Sequence, residues 1–152
     1  MGIVKTYMTR TLNSVGIEDS VGDVIIAMYK AKMAVLPVVD DDNNFLGTIY
    51  SKNFLKNIIP EEYGYLESHR LLYDVNQAAE NLEEIKNRKV KEYMLSSTTS
   101  VKEESNIDNI ANIMLDNKES YLYVINNNGK LRGYISRADL LYYLLKEGTK
   151  RK

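Results

Sequence analysis

Hydrophobic residues recur at helical spacing in two stretches of the chain, residues 21–28 and 107–114. In both stretches apolar side chains occupy positions i, i+3, i+4 and i+7. This spacing predicts an amphipathic helix with one buried stripe in each stretch.

Each predicted helix is followed by a short apolar run, VLPVVD in the first case and YLYVIN in the second. The β-branched and aromatic content of these runs favours strands. Asn, Asp and Gly then occur at 41–44 and 127–130, where they tolerate the positive φ of tight hairpin turns. A second strand through Gly47 or Gly133, followed by a closing helix with apolar residues, completes the pattern in each half.

The two halves of the chain are copies of one unit. A shift of 86 residues, the separation of Met8 and Met94, aligns them without a gap and also places Gly47 on Gly133. Because the register holds along the whole unit, the pattern indicates a duplicated structural element rather than chance matches. We therefore predict a mixed α/β (α+β) protein made of two β-α-β-β-α units.

The repeat suggests a division into three segments. We assign residues 1–59 to the first unit, 60–88 to an insert and 89–152 to the second unit. The second part of the insert, NQAAENLEEIKNRK, is rich in helix formers and contains no Gly or Pro, so it predicts a helical connector.

Composition narrows the classes of partner. Lys and Arg number 20 against 21 Asp and Glu, and this near balance lacks the basic excess typical of nucleic-acid-binding proteins. No apolar run approaches the roughly 18 residues that cross a bilayer, so we expect no membrane insertion. The absence of cysteine fits the cytoplasm, where we expect the protein to reside.

Catalytic chemistry finds little support in the sequence. His69 is the single histidine, the chain contains no Cys, and no recognisable catalytic Ser–His–acid motif surrounds it. We therefore expect no enzymatic activity, no catalytic residues, no metal site and no cofactor.

Several motifs, taken in order, resemble the CBS domain. They are a Met near the start of the unit (Met8), the run Leu36-Pro37-Val38-Val39-Asp40, and the ending Gly133-Tyr134-Ile135-Ser136-Arg137-Ala138-Asp139-Leu140-Leu141. Each motif alone is weak, whereas their order, repeated in register, is specific. The resemblance covers nearly the whole chain apart from the insert.

The resemblance implies a fold and a regulatory role. Two CBS units pair around a pseudo-twofold axis, and such pairs commonly form homodimers. Their clefts often bind AMP, ADP, ATP, S-adenosylmethionine or cyclic di-AMP, and the bound state is read by an effector protein. We accordingly expect a freestanding ligand-sensing module that binds an adenine-containing nucleotide in the cleft between the CBS units and signals to an effector protein. The alternative is a ligand-independent structural or interaction module with a degenerate cleft.

The resemblance also points to ligand-binding residues in the second unit. An Asp carboxylate can accept hydrogen bonds from both ribose hydroxyls, a Ser hydroxyl can serve the ribose or phosphate, and an Arg adds a fixed cation. These roles fall to Asp139, Ser136 and Arg137, at the start of a helix where backbone N–H groups favour a phosphate. The residues expected to surround the adenine are Thr99, Ser100, Val101, Tyr121, Leu122 and Tyr123.

The first unit departs from this pattern. Tyr50 stands at the Ser position and Asn53 at the Asp position, so the carboxylate is missing and the hydroxyl residue is replaced by a bulky one. Val35, Leu36 and Pro37 could still wall an adenine pocket, so these residues, with Tyr50 and Asn53, form a second candidate site with a degenerate motif. Asp139 also has a simpler interpretation, as an acid that stabilises the start of a helix without any ligand.

Overall fold

In a computed structural model of the protein, the structure describes residues 2–10, 13–59, 75–96, 99–117 and 119–150. Pro60, His69 and the aromatic first part of the insert lie outside these described residues.

The order of helices and strands confirms the predicted β-α-β-β-α unit in both halves. The bounds are α1 Val4–Tyr7, β1 Val15–Gly16, α2 Val21–Ala31, β2 Val35–Val39, β3 Phe45–Tyr50, α3 Ser51–Ile58, α4 Val75–Ile85, β4 Ser100–Lys102, α5 Ile110–Asn117, β5 Tyr121–Ile125, β6 Leu131–Ser136 and α6 Arg137–Lys150. Short 3₁₀ turns occupy Val90–Glu92 and Ile107–Asn109, so the helix predicted from residue 107 begins as a 3₁₀ turn.

The strands form two three-stranded sheets, ordered β1-β2-β3 and β4-β5-β6. β1 pairs with β2, and β4 with β5, in parallel. Parallel neighbours require a crossover connection, which α2 and α5 supply in their respective halves. β5 and β6 are antiparallel, with Tyr121 opposite Ser136 and Tyr123 opposite Tyr134.

Helix α2 shows how local sequence sets the bounds of an element. The side chain of Ser20 accepts a hydrogen bond from the backbone N–H of Asp23 at 3.1 Å, which caps the first turn. The helix ends at Lys32, whose φ of 58° lies in the left-handed region that closes many helices. Val21, Val24 and Met28 are buried, as the periodicity predicts.

The structure has two hydrophobic cores. One is built mainly from the first repeat, and its buried residues are Val15, Val21, Val24, Met28, Leu36, Val38, Ile49, Phe54, Ile85 and Val90. The other is built mainly from the second repeat, and its buried residues are Val4, Met8, Val101, Ile107, Ile110, Met114, Leu122, Val124, Ile135, Leu140 and Tyr143. The predicted helical connector is present as α4, and it contributes Ile85 to the first core.

The compact units of the structure group the chain differently from the sequence repeat. What we term the second-repeat unit contains residues 1–12, 41–45 and 97–152, and the first-repeat unit contains 13–40 and 46–96. The segment that precedes each β-α-β-β-α element therefore packs in the unit of the other repeat. This grouping places α1 beside α6, and it brings the 3₁₀ turn at Val90–Glu92 into the first-repeat unit.

Two glycines accommodate these docked segments. In the second-repeat unit, Thr9 and Tyr134 exchange backbone N–H···O hydrogen bonds of 2.8 and 3.0 Å. A Cβ on Gly133 would lie 2.3 Å from the carbonyl oxygen of Thr9. In the first-repeat unit, Leu95 and Thr48 make the same exchange, and a Cβ on Gly47 would lie 2.1 Å from the carbonyl oxygen of Leu95. Each glycine thus permits a backbone contact that a side chain would block.

Candidate nucleotide-binding site

A cavity of about 390 Å³ opens at the junction of β6 and α6 in the second-repeat unit. Its lining comprises Thr9, Ser120, Tyr121, Tyr134, Ser136, Arg137 and Ala138. The size is that of a small-ligand pocket, and the lining mixes aromatic, hydroxyl and cationic groups at the start of a helix. Of the residues predicted from sequence, Tyr121, Ser136 and Arg137 line this cavity.

Ser136 and Asp139 cap the start of α6 reciprocally. The carboxylate oxygen Oδ2 of Asp139 accepts the backbone N–H of Ser136 at 2.9 Å and the Ser136 hydroxyl at 3.0 Å. In return, the backbone N–H of Asp139 donates to Ser136 Oγ at 3.1 Å. This arrangement is a capping box with Asp in the place of Glu. Asp139 is not among the lining residues but is hydrogen-bonded to Ser136, which is, and its interpretation as a helix-capping acid has direct support.

Arg137 is held at the mouth of the cavity by two hydrogen bonds. Its backbone N–H donates to the carbonyl oxygen of Ser120 at 3.1 Å, and its side-chain Nε donates to the carbonyl oxygen of Glu119 at 3.2 Å. The side chain remains exposed to solvent. The guanidinium is thus anchored through Nε, while its terminal N–H groups make no hydrogen bond with the described residues.

Tyr121 and Tyr134 form an aromatic wall. Their ring centroids are 5.3 Å apart and the rings are nearly perpendicular, a favourable edge-to-face geometry. The antiparallel pairing of β5 and β6 brings the two side chains to the same end of the sheet. An aromatic wall of this kind offers a face against which a planar base can pack.

Sequence reasoning did not select Thr9 as a site residue, and it left Tyr134 as a residue of either an adenine pocket or a dimer interface. Thr9 reaches the cavity because its backbone pairs with Tyr134 beside Gly133. The glycine was the available signal, since a glycine within a strand marks a close backbone approach. The identity of the approaching segment, more than 100 residues away in sequence, was not readable from the glycine alone.

The remaining predicted residues lie beside the cavity rather than on its surface. Val101 and Leu122 are buried in the core of the unit, and Tyr123 is buried with its ring centroid 5.6 Å from that of Phe45. Ser100 is opposite Tyr123 in the sheet, and Thr99 is exposed. Contact between a ligand and these five side chains stays a prediction.

The corresponding region of the first-repeat unit is built differently. Asn53 occupies the position of Asp139, and its side-chain amide donates to the carbonyl oxygen of Tyr93 at 2.9 Å. Tyr50 precedes α3 but makes no side-chain capping bond. Leu36 and Pro37 are buried and Val35 is half-buried. Asn53 is thus engaged in tethering α3 to the segment after α4.

One further titratable group lies on α6. Tyr143 is 3% exposed and donates a hydrogen bond of 2.9 Å to the carboxylate of Asp108. This hydrogen bond, together with burial, raises the pKa of Tyr143 above its usual value. The described residues contain no cluster of three or more His, Cys, Asp or Glu side chains that could hold a metal ion. No helix in the described ranges is long and apolar enough to cross a membrane.

Comparison with known proteins identifies the family. The CBS domain model matches the chain twice, at residues 4–60 and 90–146. The chain therefore belongs to the CBS domain family, as a tandem pair, and the family resemblance inferred from sequence is confirmed.

The curated relatives include one protein of similar length and one about twice as long. A CBS domain-containing protein of Dictyostelium discoideum is 25% identical over 95% of this chain and 92% of its own length. Protein MJ1225 of Methanocaldococcus jannaschii is 26% identical over 93% of this chain, which spans only 46% of that protein.

Solved structures share the fold. A CBS domain-containing protein of Bacillus anthracis has a TM-score of 0.78 at 19% identity, covering 96% of this chain and 94% of that one. CBSX2 of Arabidopsis thaliana, solved in complex with AMP, has a TM-score of 0.73 at 23% identity, covering 97% of this chain and 99% of that one. The mixed α/β fold class with two CBS units is confirmed by these matches.

Proposed function

We propose that this protein is a regulatory module that binds an adenine-containing nucleotide, with AMP, ADP, ATP, S-adenosylmethionine and cyclic di-AMP as the candidates. The ligand occupies the cavity at the start of α6. The observation that carries the proposal is the convergence of Ser136, Arg137 and two tyrosines on one cavity, with Asp139 hydrogen-bonded to Ser136. The similarity to CBSX2, which was solved in complex with AMP, supports this ligand class.

The chemistry of the cavity suits a ribose phosphate. The carboxylate of Asp139 accepts hydrogen bonds from ribose hydroxyls, as acceptor-only groups do. The terminal N–H groups of Arg137 and the amino end of α6 provide positive charge for a phosphate. Tyr121 and Tyr134 provide the apolar surface that a base requires. The arrangement therefore combines a carboxylate, a cation and an aromatic wall, the three kinds of group that a nucleotide-binding site needs.

The proposal assigns one nucleotide to each chain. In the first-repeat unit the amide of Asn53 is already bonded to the carbonyl oxygen of Tyr93, and no carboxylate stands at that position. Tyr50 replaces the hydroxyl residue that would begin the helix. A ligand there would lack the charged ribose acceptor, so Val35, Leu36, Pro37, Tyr50 and Asn53 are not part of the proposed site.

We further propose that the protein acts as a homodimer read by an effector protein. Helix α6 exposes Leu141, Leu144 and Leu145 to solvent by 64%, 50% and 70%. Adjacent exposed leucines on one helix form the kind of apolar patch that usually marks an association surface. A ligand that binds one arrangement of the dimer interface more tightly than another increases the fraction of protein in that arrangement. Sedimentation analysis of Leu141→Lys, a charge placed on this patch, should show a shift from dimer to monomer.

Calorimetric titration tests the binding proposal. AMP, ADP, ATP, S-adenosylmethionine and cyclic di-AMP are titrated separately into the wild-type protein, and at least one should bind below millimolar concentration. Asp139→Ala should lower the affinity for that ligand by at least tenfold, because a charge-assisted hydrogen bond to the ligand is lost. Asn53→Ala is the matched control at the corresponding position of the other repeat, and it should change affinity less than twofold. Absence of binding by every ligand, or equal losses in the two variants, would contradict the proposal.

A further inference from the structure

We infer that residues 2–10, termed the strap, form a ligand-responsive element of the second-repeat unit. A nucleotide in the β6–α6 cavity stabilises the docked strap, and undocking of the strap lowers the affinity for the nucleotide. The inference rests on the proposed function and adds a regulated element to it. It follows from the two ends of the strap, one of which lines the cavity while the other is anchored by residues outside the lining.

The start of the strap is anchored in a slot beside Tyr143. The carbonyl oxygen of Gly2 accepts the backbone N–H of Ile107 at 3.0 Å. A Cβ on Gly2 would lie 2.5 Å from Cε1 of Tyr143, well inside ordinary contact distance. Tyr143 is buried and its hydroxyl donates to Asp108, so the ring cannot move aside without loss of that hydrogen bond. The slot therefore suits a residue without a side chain, and the cavity lining contains none of these four residues.

The middle of the strap is held by the loop that precedes α5. The backbone N–H of Val4 donates to the carbonyl oxygen of Ser105 at 2.9 Å, and that of Lys5 donates to the carbonyl oxygen of Glu103 at 2.8 Å. Val4 is fully buried, and the ring of Tyr7 meets that of Tyr143 edge-on at a centroid distance of 5.0 Å. Because these contacts belong to one short segment, the strap can open as a local unit without unfolding of β5 and β6.

The end of the strap forms part of the cavity. Thr9 lines the cavity, and its backbone exchanges two hydrogen bonds with Tyr134, which also lines it. A nucleotide in the cavity therefore contacts Thr9 only while the strap is docked, so it binds the docked state more tightly than the open state. This coupling is reciprocal: the nucleotide shifts the docking equilibrium by the same factor by which docking raises the affinity for the nucleotide.

The strap also borders the exposed face of α6. Helix α1 packs beside α6, and the ring centroid of Tyr7 lies 6.4 Å from that of Tyr142, an exposed neighbour of Leu141. Docking of the strap thus shapes the surface next to the apolar patch that we propose for association. A change in nucleotide occupancy reaches that surface through the strap.

Amide hydrogen exchange of the wild-type protein, with and without AMP, tests the coupling. If AMP does not bind, the tightest-binding nucleotide of the calorimetric panel takes its place. The reporters are the amides of Val4, Lys5 and Ile107, which belong to strap contacts away from the cavity. At a free AMP concentration of about ten times its dissociation constant, linkage allows up to about elevenfold protection, and we expect exchange of the reporters to slow at least about fivefold.

Two amides of the first-repeat unit serve as the control. The backbone N–H groups of Val21 and Gly22 donate to the carbonyl oxygens of Arg88 and Lys86, and their exchange should slow less than about twofold. Unchanged exchange of the reporters in the presence of bound nucleotide would overturn the inference. Equal slowing of reporters and controls would overturn it too, because the ligand would then stabilise the whole chain rather than the strap.

Gly2→Ala loosens the strap at the end that lies away from the cavity. The added Cβ collides with Tyr143, so the reporters should exchange faster than in the wild type without nucleotide. The apparent dissociation constant rises in inverse proportion to the docked fraction, so we expect the affinity for AMP to fall at least about threefold. Gly22→Ala is the matched control, because its Cβ would lie 3.4 Å from the carbonyl oxygen of Lys86, an ordinary contact, and it should leave the affinity unchanged.

The outcomes separate the strap from the binding site itself. Faster exchange of the reporters in Gly2→Ala with an unchanged affinity for AMP would overturn the inference while nucleotide binding stands. Should Gly2→Ala fail to fold, Val4→Ala, which removes a buried contact of the strap, takes its place. If neither variant speeds exchange of the reporters, the strap does not open as a local unit and the inference is overturned. Failure of every nucleotide of the panel to bind the wild type would contradict the proposed function itself.

Discussion

Replacement of Gly133 by alanine tests whether the segment carrying Thr9 is held by a backbone contact. The added Cβ would lie 2.3 Å from the carbonyl oxygen of Thr9 and 3.2 Å from its carbonyl carbon, far inside ordinary contact distance. The segment must therefore move away, which breaks the two backbone hydrogen bonds between Thr9 and Tyr134. Each of these bonds contributes about 1 kcal/mol. Overpacking adds about 1–3 kcal/mol, so we expect a total loss of stability of about 3–5 kcal/mol.

Urea unfolding monitored by circular dichroism measures this loss, and thermal unfolding should show a midpoint lowered by about 10 °C. Gly129→Ala is the matched control, because Gly129 has a φ of 80° but its Cβ would meet nothing within 4 Å. That variant should lose only about 1 kcal/mol of stability, because a residue with a side chain is strained at a positive φ. If Gly133→Ala proves no more destabilising than Gly129→Ala, the contact between Thr9 and β6 does not hold the segment in place.

Two other substitutions test particular contacts. Asn53→Asp should destabilise the protein by about 1–2 kcal/mol in urea unfolding, because a carboxylate cannot donate a hydrogen bond to the Tyr93 carbonyl. The same substitution should not create a second nucleotide site. Unchanged stability, or a second binding event in calorimetry, would refute this prediction. Tyr143→Phe should remove one source of pH dependence in the free energy of unfolding. The pKa of Tyr143 is raised in the folded state, so the stability that this tyrosine contributes is fully present below about pH 10, the ordinary tyrosine value. That contribution is lost as the pH rises further. The stability difference between wild type and Tyr143→Phe should therefore narrow above that pH, and a difference that stays constant to pH 11 would contradict the assignment of the Asp108 hydrogen bond.

The local features of this fold were readable from the sequence. The buried stripe of α2 and the strands at 35–39 and 121–125 lie where periodicity and residue type predict them. Ser20 caps α2 because a hydroxyl before an apolar stripe satisfies an exposed helical N–H. Such features depend on residues that are close together in sequence, and the same pattern occurs in both copies of the repeat.

The features that escaped prediction depend on residues distant in sequence. Thr9 enters the cavity through pairing with Tyr134, and Asn53 bonds to Tyr93 across 40 residues. The spacing of hydrophobic and polar residues does not indicate these two partners, because the segments around Thr9 and Tyr93 each pack in the unit of the other repeat. The sequence shows that Asn53 stands where the second repeat has a carboxylate. Its hydrogen bond to the carbonyl oxygen of Tyr93 is visible only in the structure.

The most direct test of the central claim is a crystal structure of the protein with the tightest-binding nucleotide of the calorimetric panel. We predict the ribose hydroxyls on the Asp139 carboxylate, the phosphate beside Arg137 and Ala138 at the start of α6, and the base against Tyr121 and Tyr134. Ligand density at the Asn53 position, or anywhere that leaves the β6–α6 cavity empty, would contradict the account.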